Sequence, residues 1–250
     1  MSLCRRYRSE SVSAASELLA HLVVCLRLIS YWPRLEELNL INLRCTEWRE
    51  IPFSGAGSGA SASNLIRLAL TLISSFGHNQ VYLSWLVTAS KNTLRHLDLG
   101  TVGVEHLATM ELFAPILAVA PQLLSFKISS DCKRAGYSSV DYLVPLLSAL
   151  RDIRTLDLGL SGFPLSSFCT LFQPLQHLQT LCISDRSIGR SHGLFSQLTP
   201  QSALAFAQTA PSLKFLVLPR QYRKLWPDDG RKAIARALRG RGGRYSYGSR

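Results

Sequence analysis

One arrangement of apolar and polar positions recurs along this chain. WPRLEELNL (32–40), NLIRLAL (64–70), TLRHLDL (93–99), PQLLSFKI (121–128), DIRTLDL (152–158), HLQTLCI (177–183) and PSLKFLVL (211–218) each contain apolar-x-x-apolar-x-apolar. The first apolar anchors are Leu35, Leu65, Leu94, Leu123, Ile153, Leu178 and Leu213, at spacings of 30, 29, 29, 30, 25 and 35 residues. LRHLDLG (94–100) returns nearly unchanged as IRTLDLG (153–159). The last two apolar positions of each copy are two residues apart, the period at which side chains of an extended strand share a face. One strand cannot bury that face alone, so each unit needs a copy beside it.

Parallel neighbours require crossovers, which are usually helical. Helical periodicity appears between the copies, at 81–89, 105–120, 140–150 and 201–210. Pro115 and Pro145 interrupt two of these segments and predict kinked or shortened helices. Pro33, Pro121 and Pro211 stand just before the strand template, where proline ends a helix and pushes its predecessor toward extended geometry. The predicted class is α/β: a parallel sheet with helical crossovers on one side.

A period near 29 with this template resembles the leucine-rich-repeat family. More narrowly, the Pro-x-Leu-x-x-Leu-x-Leu arrangement is similar to the C-terminal arrays of F-box/leucine-rich-repeat proteins, including irregular fungal ones. The resemblance covers roughly residues 13–220. It implies a leucine-rich-repeat solenoid, with a curved parallel sheet lining the concave side and helices on the convex side. It implies a protein partner on the concave face, and substrate recognition in ubiquitin ligation. The family's Asn or Cys at the ninth position is missing: Leu43, Ile73, Val102, Asp131, Ser161, Arg186 and Gln221 stand there, predicting irregular turns after the strands. No F-box is expected, since about a dozen residues precede the array. The expected organisation is a flexible N-terminus over 1–12, an array of about seven repeats over 13–227, and a short helix with a basic, disordered RG-rich tail over 228–250. SGAGSGASAS (54–63) reads as a flexible loop and 185–200 as an insertion.

Charge changes this picture at one end. The net charge is +12. Residues 214–250 hold 11 basic and 2 acidic residues, leaving 17 basic and 14 acidic in 1–213. Within the tail, RALRGRGGRYSYGSR (236–250) interleaves arginine, glycine and tyrosine. Arg239, Arg241, Arg244, Tyr245 and Tyr247 are therefore candidates for nucleic-acid or other anionic contact, the alternative to a protein-binding array. The preceding DDGRKAIARALR (228–239) has acids first and bases last, the order that suits a short helix able to cap the last repeat.

Six scattered cysteines without CxxC or CxH spacing argue against a zinc or disulfide scaffold and point to the cytosol or nucleus. Arg5, Arg6 and Arg8 precede an apolar stretch at 18–29, but Glu17, His21 and Arg27 interrupt it and its apolar residues fall on one helical face. A helix is expected there rather than a signal peptide. No apolar run is long enough to predict a membrane span.

The strand template also predicts the face opposite the core. Glu37, Asn39, Arg67, His96, Asp98, Lys127, Thr155 and Asp157 are the candidate partner-binding residues, with Thr180, Cys182, Phe215 and Val217 forming a less polar C-terminal end. Asp98 and Asp157 occupy equivalent positions two repeats apart, which places them about 10 Å from each other. They read as solvated carboxylates on an open sheet rather than a catalytic pair. HExxH, GxSxG and P-loop patterns are all missing, so no enzyme, metal or cofactor is expected.

Overall fold

The computed structural model describes residues 35–44, 64–73, 86–102, 110–130, 140–159, 168–183, 198–220 and 222–248. The expected helix at 18–29, the flexible N-terminus and the loops at 54–63 and 185–197 lie outside them. The strands are β1 (Glu37–Arg44), β2 (Arg67–Ile73), β3 (His96–Val102), β4 (Ser125–Ser130), β5 (Thr155–Gly159), β6 (Thr180–Ile183), β7 (Phe215–Leu218) and β8 (Arg244–Tyr247). They form a single parallel sheet in chain order, each strand beside its predecessor. The first seven all begin two residues after the anchor of their template.

Register follows the template. Leu38, Leu68, Leu97, Phe126, Leu156, Leu181, Leu216 and Tyr245 stand side by side across the eight strands. A backbone device repeats at the first six of the seven junctions. The Glu36 carbonyl accepts from both Ile66 and Arg67, and the Ile66 carbonyl accepts from both Arg95 and His96. The same sharing recurs at Arg95, Leu124, Arg154 and Gln179. These bonds hold equivalent residues together before the strand proper begins.

The crossover helices are α1 (Met110–Val119), α2 (Val140–Ala149), α3 (Phe168–Phe172), α4 (Pro200–Thr209), α5 (Tyr222–Leu225) and α6 (Asp228–Arg239). Residues 86–89 are also helical. Pro115 and Pro145 lie inside α1 and α2, and both helices are ten residues long. Thr199 caps α4, accepting from the Ser202 amide while the Ser202 hydroxyl closes a capping box. Contacts run α1–α2, α2–α3, α3–α4 and α4–α6, so the helices form a layer in the order of the strands. Ile116, Leu146, Phe172, Phe206 and Ile234 of that layer join Leu97, Phe126, Leu156 and Leu216 of the sheet in one apolar core.

The segment expected to be a disordered tail is ordered through residue 248, which corrects the sequence expectation. Its helix spans Asp228–Arg239, as the charge order predicts. Its RGG is a helix terminus. The Gly243 amide donates to the Leu238 carbonyl and the Gly242 amide to the Arg239 carbonyl, both at 2.9 Å, with Gly242 at φ +71°. This is a Schellman closure, with a glycine where the chain turns left-handed. Arg241 donates from its guanidinium to the Gln208 and Ala210 carbonyls at the end of α4. β8 then follows, adding an eighth unit to the expected seven.

The expected turn irregularity appears in β3. Its pairing with β4 shifts register between Asp98 and Thr101, and Gly100 adopts φ +57°. The Asp98 carboxylate accepts from the Gly100 amide at 2.8 Å. The near-identical LDLG of β5 instead continues in register, with Gly159 paired to Ser129. Gly100→Ala should therefore cost about 1 kcal/mol and Gly159→Ala less, since only Gly100 needs the left-handed region. Urea unfolding of the two variants measures the difference.

Candidate functional site: the open face of the sheet

Strand alternation sends every second side chain into the core and the others to the opposite side. Among the described residues, no helix or strand covers that second side. Two rows of side chains run across it. The first is Glu37, Arg67, His96, Ser125, Thr155, Thr180, Phe215 and Arg244. The second is Asn39, Ala69, Asp98, Lys127, Asp157, Cys182, Val217 and Ser246. All eight candidates from the sequence lie in these rows.

Apart from Arg244, the charged groups sit at one end and largely answer each other. Lys127 Nζ lies 2.9 Å from Asp98 Oδ2, and both side chains are about one-third exposed (38% and 34%). Such a half-exposed pair contributes about 0.2–1 kcal/mol. Asp98 thus has two tasks: one oxygen holds the Gly100 amide and the other holds Lys127. Lys127 stands between Asp98 and Asp157 in register, separating the two carboxylates as the repeat predicts. Burial, with the nearby Arg67 guanidinium, lowers the pKa of His96 below the ordinary imidazole value, while Glu37 opposes the shift. His96 is therefore neutral at pH 7.

The other end is less polar. Cys182 is a free thiol pushed up to about 12, first by burial and then by the charge and hydrogen bond of Asp157, with Lys127 opposing. A thiol held protonated is a poor nucleophile and a poor metal ligand. Phe215 is 41% exposed, one of three large apolar side chains exposed among the described residues. It lies between Thr180 and Arg244 in its row.

The candidate anionic-contact residues separate onto three surfaces. Arg241 is held on the end of α4. Arg244 is exposed on the open face, in the row of Phe215. Tyr245 and Tyr247 align with the core-facing Leu216 and Leu218, while Arg239 is exposed on α6. No family model matches this chain, and no curated protein sequence matches it. Among the described residues, no group of three or more His, Cys, Asp or Glu is placed to hold a metal ion, and no helix is long and apolar enough to cross a membrane.

Arg244 and Ser246 extend the open face beyond the seven expected units. Their signal in the sequence is Tyr-x-Tyr at 245–247, which repeats the alternation of Leu216 and Leu218 exactly one period later: Gly242 stands 29 residues after Leu213.

Proposed function

We propose that this chain is a leucine-rich-repeat solenoid, curved with its strands on the concave side, and that it binds another protein across the open face of the sheet. The observation that carries the reading is the alignment of equivalent template positions over eight consecutive parallel strands, with one face in the core and the other uncovered. Such a scaffold holds side chains from distant parts of the chain in fixed register over a wide area, which suits recognition of a large partner. Charged residues at one end set orientation through local polar contacts. Phe215, flanked by Thr180 and Arg244, supplies an aromatic anchor of the kind that dominates binding energy at interfaces. Recognition of a substrate for ubiquitin ligation is the narrower form of the reading, supported by the resemblance of the template.

Affinity capture from native lysate tests it. Phe215→Asp, which alters the open face without touching the core, should weaken retention of the partner at least about tenfold. Gln201→Glu, at an exposed position of α4, should leave retention unchanged. Equal retention by both variants removes the open face as the binding surface.

A second reading, RNA binding through the C-terminal segment, draws on the cations of α6. It requires binding that weakens steeply with salt.

A further inference from the structure

β8 ends the described sheet and leaves one edge without a strand. It pairs with β7 on one side, and no described strand lies on the other. The Arg244 and Gly248 amides donate to the Lys214 and Leu218 carbonyls at 2.7 and 3.0 Å. Alternation along a parallel ladder then turns the backbone N–H and C=O groups of Tyr245 and Tyr247 to the outer edge. Such an edge is a template for another strand unless charge, proline or a bulge blocks it.

Beside this edge is a groove of about 590 Å³. One wall is formed by Tyr245 and Tyr247, the other by Arg231, Lys232, Arg236 and Arg239 of α6. Asp228 is the one acidic residue of the lining, and it is paired with Arg231. The Tyr245 and Tyr247 hydroxyls are shielded from solvent and lack a hydrogen-bond partner of good geometry. Burial, reinforced by the neighbouring Tyr247 hydroxyl, raises the pKa of Tyr245 above that of an ordinary phenol, so it remains a donor. Four cations face one acid in this lining, so a carboxylate is the ligand that answers them.

We infer that this edge and groove bind an extended acidic peptide segment of a partner protein, added as a ninth strand with carboxylates at every second position. The peptide backbone satisfies the outward groups of Tyr245 and Tyr247. Alternate side chains enter the groove, where the methylenes of a glutamate lie along the tyrosine rings and its carboxylate meets the arginines. A second copy of this chain fits poorly, because symmetric docking sets the α6 cations against their own counterparts. RNA is also disfavoured: the two tyrosine rings meet edge to face at 65°, with centroids 5.0 Å apart, in the core-facing row, so they form no parallel stacking platform. This surface is distinct from the open face and does not depend on what binds there.

Fluorescence anisotropy with the full chain and a short labelled peptide alternating glutamate and valine tests the inference. With the peptide parallel to β8, as every neighbouring pair in this sheet is, and its glutamates in the groove, the valine amides are the ones that pair with β8. N-methylation of the valine amides should abolish binding, while N-methylation of the glutamate amides should leave it intact. Arg236→Glu with Arg239→Glu, both at exposed positions, should weaken binding at least about tenfold at low salt, with circular dichroism and the melting curve unchanged. Three results would overturn the proposal: no binding of the parent peptide, equal binding after N-methylation at the valines, or binding of oligouridine without binding of the peptide.

Discussion

Gly243→Ala should detach β8 from the sheet. A β-carbon at residue 243 would lie 2.2 Å from the Lys214 carbonyl oxygen and 2.9 Å from the Lys214 carbonyl carbon and α-carbon. All three are backbone atoms of the segment leading into β7, so no side-chain rotation relieves the clash. Gly243 occupies the position held in earlier units by Ile66, Arg95, Leu124, Arg154, Gln179 and Lys214. Those residues donate their amides to the preceding unit, whereas the Gly243 amide goes to Leu238 to close α6. The last unit is therefore joined to its neighbour by one shared-junction bond instead of two, and its chain passes closer. Overpacking of this kind costs about 3 kcal/mol, near the top of the usual range, because the backbone itself must move. The loss should be local, since each unit is held mainly by its neighbours.

Amide exchange is the readout. Protection at Arg244 and Gly248 should fall to that of an exposed segment, while protection in β4 and β5 stays. Gly240→Ala is the contrast: a β-carbon there meets nothing nearer than 3.8 Å, and the backbone is helical at φ −55° and ψ −16°. That change should be neutral or stabilise by about 0.5 kcal/mol through the unfolded state. Unchanged protection of β8 in Gly243→Ala would show that the RGG does not dock as described.

Phe126→Ala should be the most damaging substitution at the centre of the sheet. Phe126 is fully buried, and its register neighbours are Leu97 and Leu156. Removing a buried phenylalanine side chain costs about 3–5 kcal/mol, because the lost transfer energy adds to the cavity left between rigid neighbours. Phe126→Leu should cost about 1 kcal/mol, because six of the eight positions in this row are leucine and the layer already accommodates that volume. Urea midpoints of the two variants separate these values. Equal midpoints would mean that the helices over β4 collapse into the space.

Strand positions were legible because they depend on local spacing. A buried strand face demands apolar residues two apart, and the anchor two residues earlier, buried at Leu65, Leu94, Leu123, Ile153, Leu178 and Leu213, fixes where each strand starts. The identity of the open face follows from the same alternation. Helices long enough to show a 3.6-residue period, α1, α2 and α4, were legible too. α3 and α5, of five and four residues, are too short to show one. β8 was obscured by composition. Gly242 replaces the leucine anchor, tyrosines replace the paired leucines, and arginine density resembles that of an unstructured basic segment. Spacing carried the strand signal that composition hid.

The repeat by itself determined that strands lie parallel, in order, with one apolar side and one polar side, because no single unit can shelter its own apolar face. Tertiary structure alone decided what the individual polar residues do. Asp98 and Asp157 stand at the same place in two near-identical heptads, yet one braces a left-handed glycine and a lysine while the other lies beside a thiol. Likewise, Arg241 and Arg244 are three residues apart, yet one closes the end of a helix and the other faces outward. Spacing along a chain specifies which face a side chain occupies, but its partners come from neighbouring strands and helices, and those meet only once the chain has folded.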